Sequence, residues 1–429
     1  MRDVRDRYES LREARARVRL AFRAGRSHEL DFERADEEHL DVTGGEALRE
    51  LQAEGSTSQL ADSRERNARM IAALQAAMLA RGTRELSARA RARPDAVELR
   101  EELAARESEW LATLGFAHAR EFAESQRPGV DYGFWSAQAQ GLLEATASAF
   151  RDAQRAVRPL AWDELLGASR LRPALDFALE GLGAPLSRAP GLRIEELAPA
   201  SARELAFAVA PRVPGEVWLV YAPRAGLPAL EALFAATGEA LHAAFTSPAL
   251  ELAHRALGDP ASALVWRFLL PELLAERSFA DSGLVAGRVE ELAAVLLVRR
   301  LESIRRAAAL VEVELALAEL APGSDPHGLE SLYGERLEAA LGGRPDEARF
   351  LLECSARLGS VDVLRAQSVA FELVRHLRER FGTRWWTSRR AGALLLELWN
   401  TGTRYPPEAL ARELGLGAPA ADVLARALV

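Results

Sequence analysis

Leu233-Phe234-Ala235-Ala236-Thr237-Gly238-Glu239-Ala240-Leu241-His242 is the stretch on which the reading of the fold turns. Phe234, Gly238, Leu241 and Phe245 recur at steps of three and four, the spacing of one apolar helix face. Helical periodicity begins after Pro228, so a helix is predicted over about 228–246. Upstream lie two strand-like runs, Ala206-Phe207-Ala208-Val209-Ala210 and Glu216-Val217-Trp218-Leu219-Val220-Tyr221. Pro211-Arg212-Val213-Pro214-Gly215 joins them, which predicts a small antiparallel hairpin over about 206–222. Downstream come Leu257-Gly258-Asp259 and then Phe268-Leu269.

Away from this region the pattern is almost wholly helical. Val4, Tyr8, Leu11, Ala14, Val18 and Phe22 mark a first amphipathic helix. Its arginines are balanced by Asp3, Asp6, Glu9 and Glu13, so it is read as a solvated face. Gly55-Ser56-Thr57-Ser58 breaks the pattern, and further helices are expected at about 62–81, 95–124, 132–156 and 170–182. Arg288 to Ala321 holds neither glycine nor proline and predicts one long helix or two stacked ones. The glycine pairs Gly44-Gly45 and Gly342-Gly343 lack the spacing and the lysine of a phosphate loop and are read as turns.

At 429 residues the chain exceeds the roughly 250–300 that one core organises, so two lobes are expected, about 1–190 and 191–429. A hydrophobic share of 49% with 28% charged residues describes a globular protein rather than a disordered tail. The net charge of −8 gives no reason to expect nucleic acid, although all 55 basic residues are arginine. The apolar run Leu292 to Val298 falls far short of the ~20 residues that span a bilayer, so no membrane partner is expected. A single cysteine, Cys354, excludes an internal disulfide framework. The charged start Met1-Arg2-Asp3-Val4-Arg5 has no apolar signal-like run, and the expected compartment is the cytoplasm.

The hairpin, the 233–242 helix and the Leu257-Gly258-Asp259 block together resemble the thimet oligopeptidase and oligoendopeptidase F family of zinc metallopeptidases. In that family the helix reads Leu-Phe-His-Glu-x-Gly-His-Ala-Leu-His. Leu233, Phe234, Gly238, Ala240, Leu241 and His242 keep the scaffold letters of that pattern. The chemical letters differ: the first zinc-binding histidine falls on Ala235, the general-base glutamate on Ala236 and the second histidine on Glu239. With Leu257-Gly258-Asp259 as register, the third ligand falls on Leu264, twenty-five residues after Glu239 as the family's spacing requires. The family's oxyanion-stabilising tyrosines are missing from the matching segment, Arg357 to Ala366. The resemblance covers about 190–429 and weakens to generic helix before it. It implies a mainly α, two-lobed, thimet-oligopeptidase-like fold with the small antiparallel element beside a central cleft.

A His-Glu-x-x-His helix works because residues i and i+4 share a face and grip one zinc ion, while the glutamate takes a proton from its bound water. Catalytic zinc needs about three protein ligands and an open position. Alanine and leucine carry no donor atom. His28, His39, His118, His242, His254, His327 and His376 contain no His-x-x-x-His pair to substitute. The expectation is therefore a catalytically inactive, zinc-free relative that binds a peptide or protein partner. Two alternatives stand beside it: an active enzyme with relocated ligands, using Glu239, His242 and a carboxylate such as Glu272, or a helical scaffold without a cleft ligand.

Five residues are candidates for lining the cleft: Trp218, Tyr221, Glu239, His242 and Arg267. Trp218 and Tyr221 fall on what is read as an exposed edge strand, which an extended peptide can join. Arg267 lies three residues after Leu264 and so on the same helix face, where its guanidinium is expected to pair with Glu239. His242 is read as a hydrogen-bonded structural histidine in preference to a ligand. Glu239/His242 and Glu251/His254 share the Glu-x-x-His pattern of di-iron bundles, but two further bridging glutamates are not evident.

Overall fold

The structure, a computed structural model, describes residues 4–26, 30–44, 46–55, 61–83, 86, 97–157, 160–199, 204–285, 287–321, 324, 326, 328–354 and 356–428. His28, His327, Gly45 and the Ser56-Thr57-Ser58 break lie outside the described residues. In chain order the elements that organise it begin with α1 (Val4–Arg23), α2 (Ala61–Gly82), α3 (Val97–Thr113), α4 (Tyr132–Ala145) and α5 (Ala168–Leu182). Three strands follow, β1 (Leu192–Glu196), β2 (Ala206–Arg212) and β3 (Glu216–Tyr221). Helix returns in α6 (Leu227–Phe245), α7 (Pro260–Leu269), α8 (Val289–Ala318), α9 (Gly328–Leu341), α10 (Gly359–Phe381), α11 (Arg389–Asn400) and α12 (Pro407–Glu413).

The chain forms two compact units, neither continuous in sequence. One holds Met1–Leu11, Glu29–Ala147 and Glu302–Leu364; the other holds Arg12–His28, Ser148–Leu301 and Arg365–Val429. A boundary near residue 190 follows the change of texture along the chain, whereas the contacts cut through α1, α8 and α10. Long helices carry no composition break where their neighbours change, so this division has no local signature.

The first unit is helical. Tyr333, Leu337, Val313 and Phe350 form one of its apolar clusters. Its buried charges are closely bonded: Arg127 donates through Nε to both carboxylate oxygens of Asp362, at 2.7 and 2.9 Å. Arg305 donates to the carbonyls of Ala340 and Leu143 and to the Thr146 hydroxyl, at 2.8, 2.7 and 2.7 Å.

The second unit contains the sheet, in the order β1-β3-β2. β2 pairs with β3 antiparallel, with Val209 opposite Trp218, as the hairpin reading expects. β1 adds a parallel partner, with Arg193 opposite Trp218, so the small element is mixed. Leu192-Arg193-Ile194-Glu195-Glu196 is short and largely charged, a composition that suits an edge and hides a strand. β3 is consequently central. That corrects the edge-strand reading of Trp218 and Tyr221, because neighbours on both sides already use its backbone groups.

Strand alternation sends Val217, Leu219 and Tyr221 to the core shared with α6, where Leu230, Leu233 and Phe234 are buried. Val220 turns to the opposite face with Phe207 and Val209, where Ala16, Leu20 and Ala24 cover it. The end of α1 is therefore not a solvated face. Arg17 pairs with Glu216 at 3.0 Å, Arg26 with Glu195 at 2.9 Å, and Arg23 with Glu204.

Gly226 caps the start of α6 with a φ of +103°, a conformation that favours glycine, and a Cβ there would also displace Asp163 Oδ1, 2.3 Å away. α7 starts on Asp259, which accepts from the Ala261 N–H at 2.8 Å, with Pro260 in the first turn. The same carboxylate holds Arg365 of α10, at 2.6 Å, and Arg365 also bonds Glu408 of α12 through Nε at 2.7 Å. The Arg365 side chain is wholly buried and the Asp259 side chain 9% exposed. Removing one partner of a buried pair leaves a charge uncompensated, so Arg365→Met is expected to lower unfolding stability by about 3 kcal/mol. Urea denaturation measures this, and pairing the change with Asp259→Asn should recover part of the loss.

Candidate functional site

α6 and α7 approach each other at Gly238. A Cβ on Gly238 would lie 2.0 Å from the Trp266 carbonyl oxygen and 3.4 Å from the Arg267 nitrogen, so only glycine permits this crossing. That contact sets the residues on either side. Arg267 Nη1 donates to Glu239 Oε1 at 3.1 Å. The side chains are 39% and 22% exposed, so solvent screens the pair and it adds little to stability. Its consequence is chemical: a guanidinium rests on the carboxylate that stands where the resembled helix pattern has its second histidine. Ala236 is fully buried, while Ala235 and Leu264 are half-buried and offer only carbon.

His242, one turn after Glu239, lies in the core. It is buried, stacked on Trp266 at 5.7 Å, and its Nε2 lies 3.0 Å from the Gly402 carbonyl. A carbonyl only accepts, so Nε2 carries the proton and His242 serves as an internal donor. This corrects its place among the cleft-lining candidates. Burial pushes its pKa down to about 4, against the smaller upward pull of the Gly402 bond.

Trp218 is half-buried, donates through Nε1 to Glu216 at 3.1 Å, and lies beneath the Arg193 guanidinium. Tyr221 is buried and donates to Glu196 at 2.8 Å. Both are parts of the sheet's own packing, which corrects their reading as groove residues. Of the five candidates, Glu239 and Arg267 are brought together and remain partly exposed.

Three neighbouring ion pairs escaped the sequence reading. Arg299 of α8 holds Glu231 at 2.6 Å, and Arg300 holds Glu272. Arg378 and the Trp385 Nε1 both donate to Glu276 Oε1 at 2.7 Å. Burial pushes the carboxyls of Glu231 and Glu272 up, opposed by their arginines. The one available signal was Arg299-Arg300 inside a glycine-free helix, which also suits a solvated face. Among the described residues, no group of three or more His, Cys, Asp or Glu side chains is placed to hold a metal ion.

Neither a protein-family profile nor a curated protein sequence matches this chain. Solved structures do match over 99% of its length. Trypanosoma cruzi metallocarboxypeptidase 1 is 14% identical with a TM-score of 0.67 over 97% of that chain. PZ peptidase A, solved with an inhibitor, is 13% identical with a TM-score of 0.59 over 83%. A Bacillus anthracis protein assigned as oligoendopeptidase F is 11% identical with a TM-score of 0.52 over 72%. The mainly α, oligopeptidase-like fold read from the sequence is thus the fold of this chain. Among the described residues, no helix is long and apolar enough to cross a membrane.

Two outcomes follow from the packing. Gly238→Ala forces backbone apart between α6 and α7 and is expected to cost at least about 2 kcal/mol in urea unfolding. Between pH 6.5 and 4 the unfolded chain protonates residue 242 while the folded chain does not. Stability contributed by a neutral His242 is therefore present above pH 6.5 and falls by about 3 kcal/mol as the pH drops to 4. In His242→Gln, unfolding free energy measured across this window should decline less steeply by that amount.

Proposed function

We propose that this chain is a metallopeptidase-shaped protein that holds no catalytic zinc, hydrolyses no peptide and acts by binding a peptide or protein partner. The observation that carries the reading is Arg267 on Glu239 at 3.1 Å, in a site whose other family positions are Ala235, Ala236 and Leu264. These residues do not fit a catalytic zinc. One carboxylate is far short of three ligands, and a guanidinium bonded to it would repel a divalent cation. His242 is buried against Trp266, Glu272 is engaged by Arg300, and among the described residues neither belongs to a group of three or more His, Cys, Asp or Glu side chains placed to hold a metal ion. No side-chain atom at 236 can take a proton from water.

Binding is supported by what persists. A guanidinium can hydrogen-bond a peptide carbonyl or carboxylate without activating a nucleophile. The scaffold letters that shape the region, Leu233, Phe234, Gly238 and Leu241, are present and buried. This last step rests on the likeness of fold, which by itself does not fix function.

Metal analysis of the purified chain, with a fluorogenic peptide assay, separates the readings. The expected result is well under one zinc per chain and no hydrolysis. About one zinc, removable by chelator with loss of peptidase activity, would establish the relocated-ligand enzyme instead. A variant carrying Ala235→His, Ala236→Glu, Glu239→His, Leu264→Glu and Arg267→Ala is expected to take up chelator-sensitive zinc. Equilibrium dialysis against a pool of short peptides tests binding: retention weakened by Arg267→Ala supports it, and no retention favours a scaffold.

A further inference from the structure

The sheet ends on a strand whose outer edge is open. β1 lies at one margin of the order β1-β3-β2, and among the described residues no further strand lies beside it. The Val217 N–H donates to the Gly191 carbonyl at 3.0 Å, and the Leu197 N–H to the Tyr221 carbonyl at 2.8 Å. Backbone groups alternate between the two edges of a strand, so residues 191, 193, 195 and 197 turn theirs to β3. Ile194 and Glu196 therefore turn N–H and C=O outward. Leu192 turns its C=O outward too, while its N–H is bonded to the Ala189 carbonyl at 3.3 Å.

Ile194, at the centre of β1, is 37% exposed. It shares the face of its register partner Leu219, whereas Arg193 and Glu195 project from the other face, where the Arg193 guanidinium lies over Trp218. Both charges have a partner within the chain. Arg193 lies 3.8 Å from Glu216, near the limit of an ion pair, and Glu195 is held by Arg26 at 2.9 Å. Each keeps capacity for a second partner, since a guanidinium carries about five donors and a carboxylate about four acceptor sites.

Charged side chains on an edge usually keep it from pairing with a neighbour. Here the order of the signs reverses that effect. Antiparallel pairing with an identical strand, about a two-fold axis through Ile194, sets Ile194 opposite itself, Arg193 opposite Glu195 and Leu192 opposite Glu196. Opposite charges thus meet twice. The outward backbone groups meet as well, Ile194 with Ile194 and the Glu196 N–H with the Leu192 C=O. Parallel pairing would set Arg193 beside Arg193 and Glu195 beside Glu195, which like charge disfavours.

We propose that β1 is a self-association edge, on which a second copy of this chain pairs antiparallel about Ile194 and doubles the three-stranded sheet. A five-residue strand buries little surface, so the dimer is weak and forms at high concentration. It uses neither Glu239 nor Arg267 and stands apart from the peptide-binding reading.

Sedimentation velocity of the full chain, over a wide range of concentration, tests the proposal. A monomer–dimer equilibrium is expected. Ile194→Pro removes an outward N–H that β3 does not use, so it should leave the circular dichroism unchanged and weaken association at least about tenfold. Arg193→Glu and Glu195→Arg should each weaken it about tenfold, because like charges then face each other twice. An equimolar mixture of those two variants should recover association, which no misfolded chain could do. Monomer at every concentration, undiminished association of Ile194→Pro, or a mixture no tighter than its components would overturn the proposal. Monomer throughout, with peptide retention lost in Ile194→Pro, would give the edge to an extended peptide instead.

Discussion

Where α6 and α7 cross, residue 238 has no side chain and the Trp266 carbonyl occupies the space a methyl would need. Neighbouring features depend on that approach. It brings Arg267 within 3.1 Å of Glu239 and places Trp266 against the His242 ring. Asp259 fixes the opposite end of α7 by capping it while bonded to buried Arg365. The helix is thus set in position at two points, one by the absence of atoms and one by charge.

The acidic residues around α6 follow a shared pattern. Glu231, Glu239, Glu272 and Glu276 meet Arg299, Arg267, Arg300 and Arg378 respectively. Burial raises the cost of ionisation at Glu231 and Glu272, and a nearby guanidinium lowers it again. Arginine suits the task better than lysine would. Its planar fork reaches several acceptors and is less strongly hydrated. The exclusive use of arginine, which in the sequence reads as a compositional bias, has structural consequences at these pairs.

Much of the framework was legible because it rests on local rules. Apolar residues at helical spacing bounded α6 to within a residue at each end, and the glycine-free run 288–321 marked α8, Val289–Ala318. The Pro211–Gly215 connection located the turn between β2 and β3, although β2 runs two residues into it, to Arg212. β1 was illegible because a five-residue charged edge strand has almost no apolar alternation to detect. Ala16, Leu20 and Ala24 sit at helical spacing, but periodicity alone does not say that a sheet is waiting for that face.

The residue types at 235, 236, 239 and 264, and hence the lack of donor atoms at three of them, were determined by the sequence alone: a side chain carries its chemistry wherever it is placed. So were the helical class and the glycine at 238. Which groups meet was decided only by tertiary structure. The same chain could have left Glu239 in open solvent, turned His242 outward or kept β3 at an edge. Each depends on contacts between segments far apart in sequence, where many near-equal pairings satisfy local propensity and only packing of the whole unit selects one.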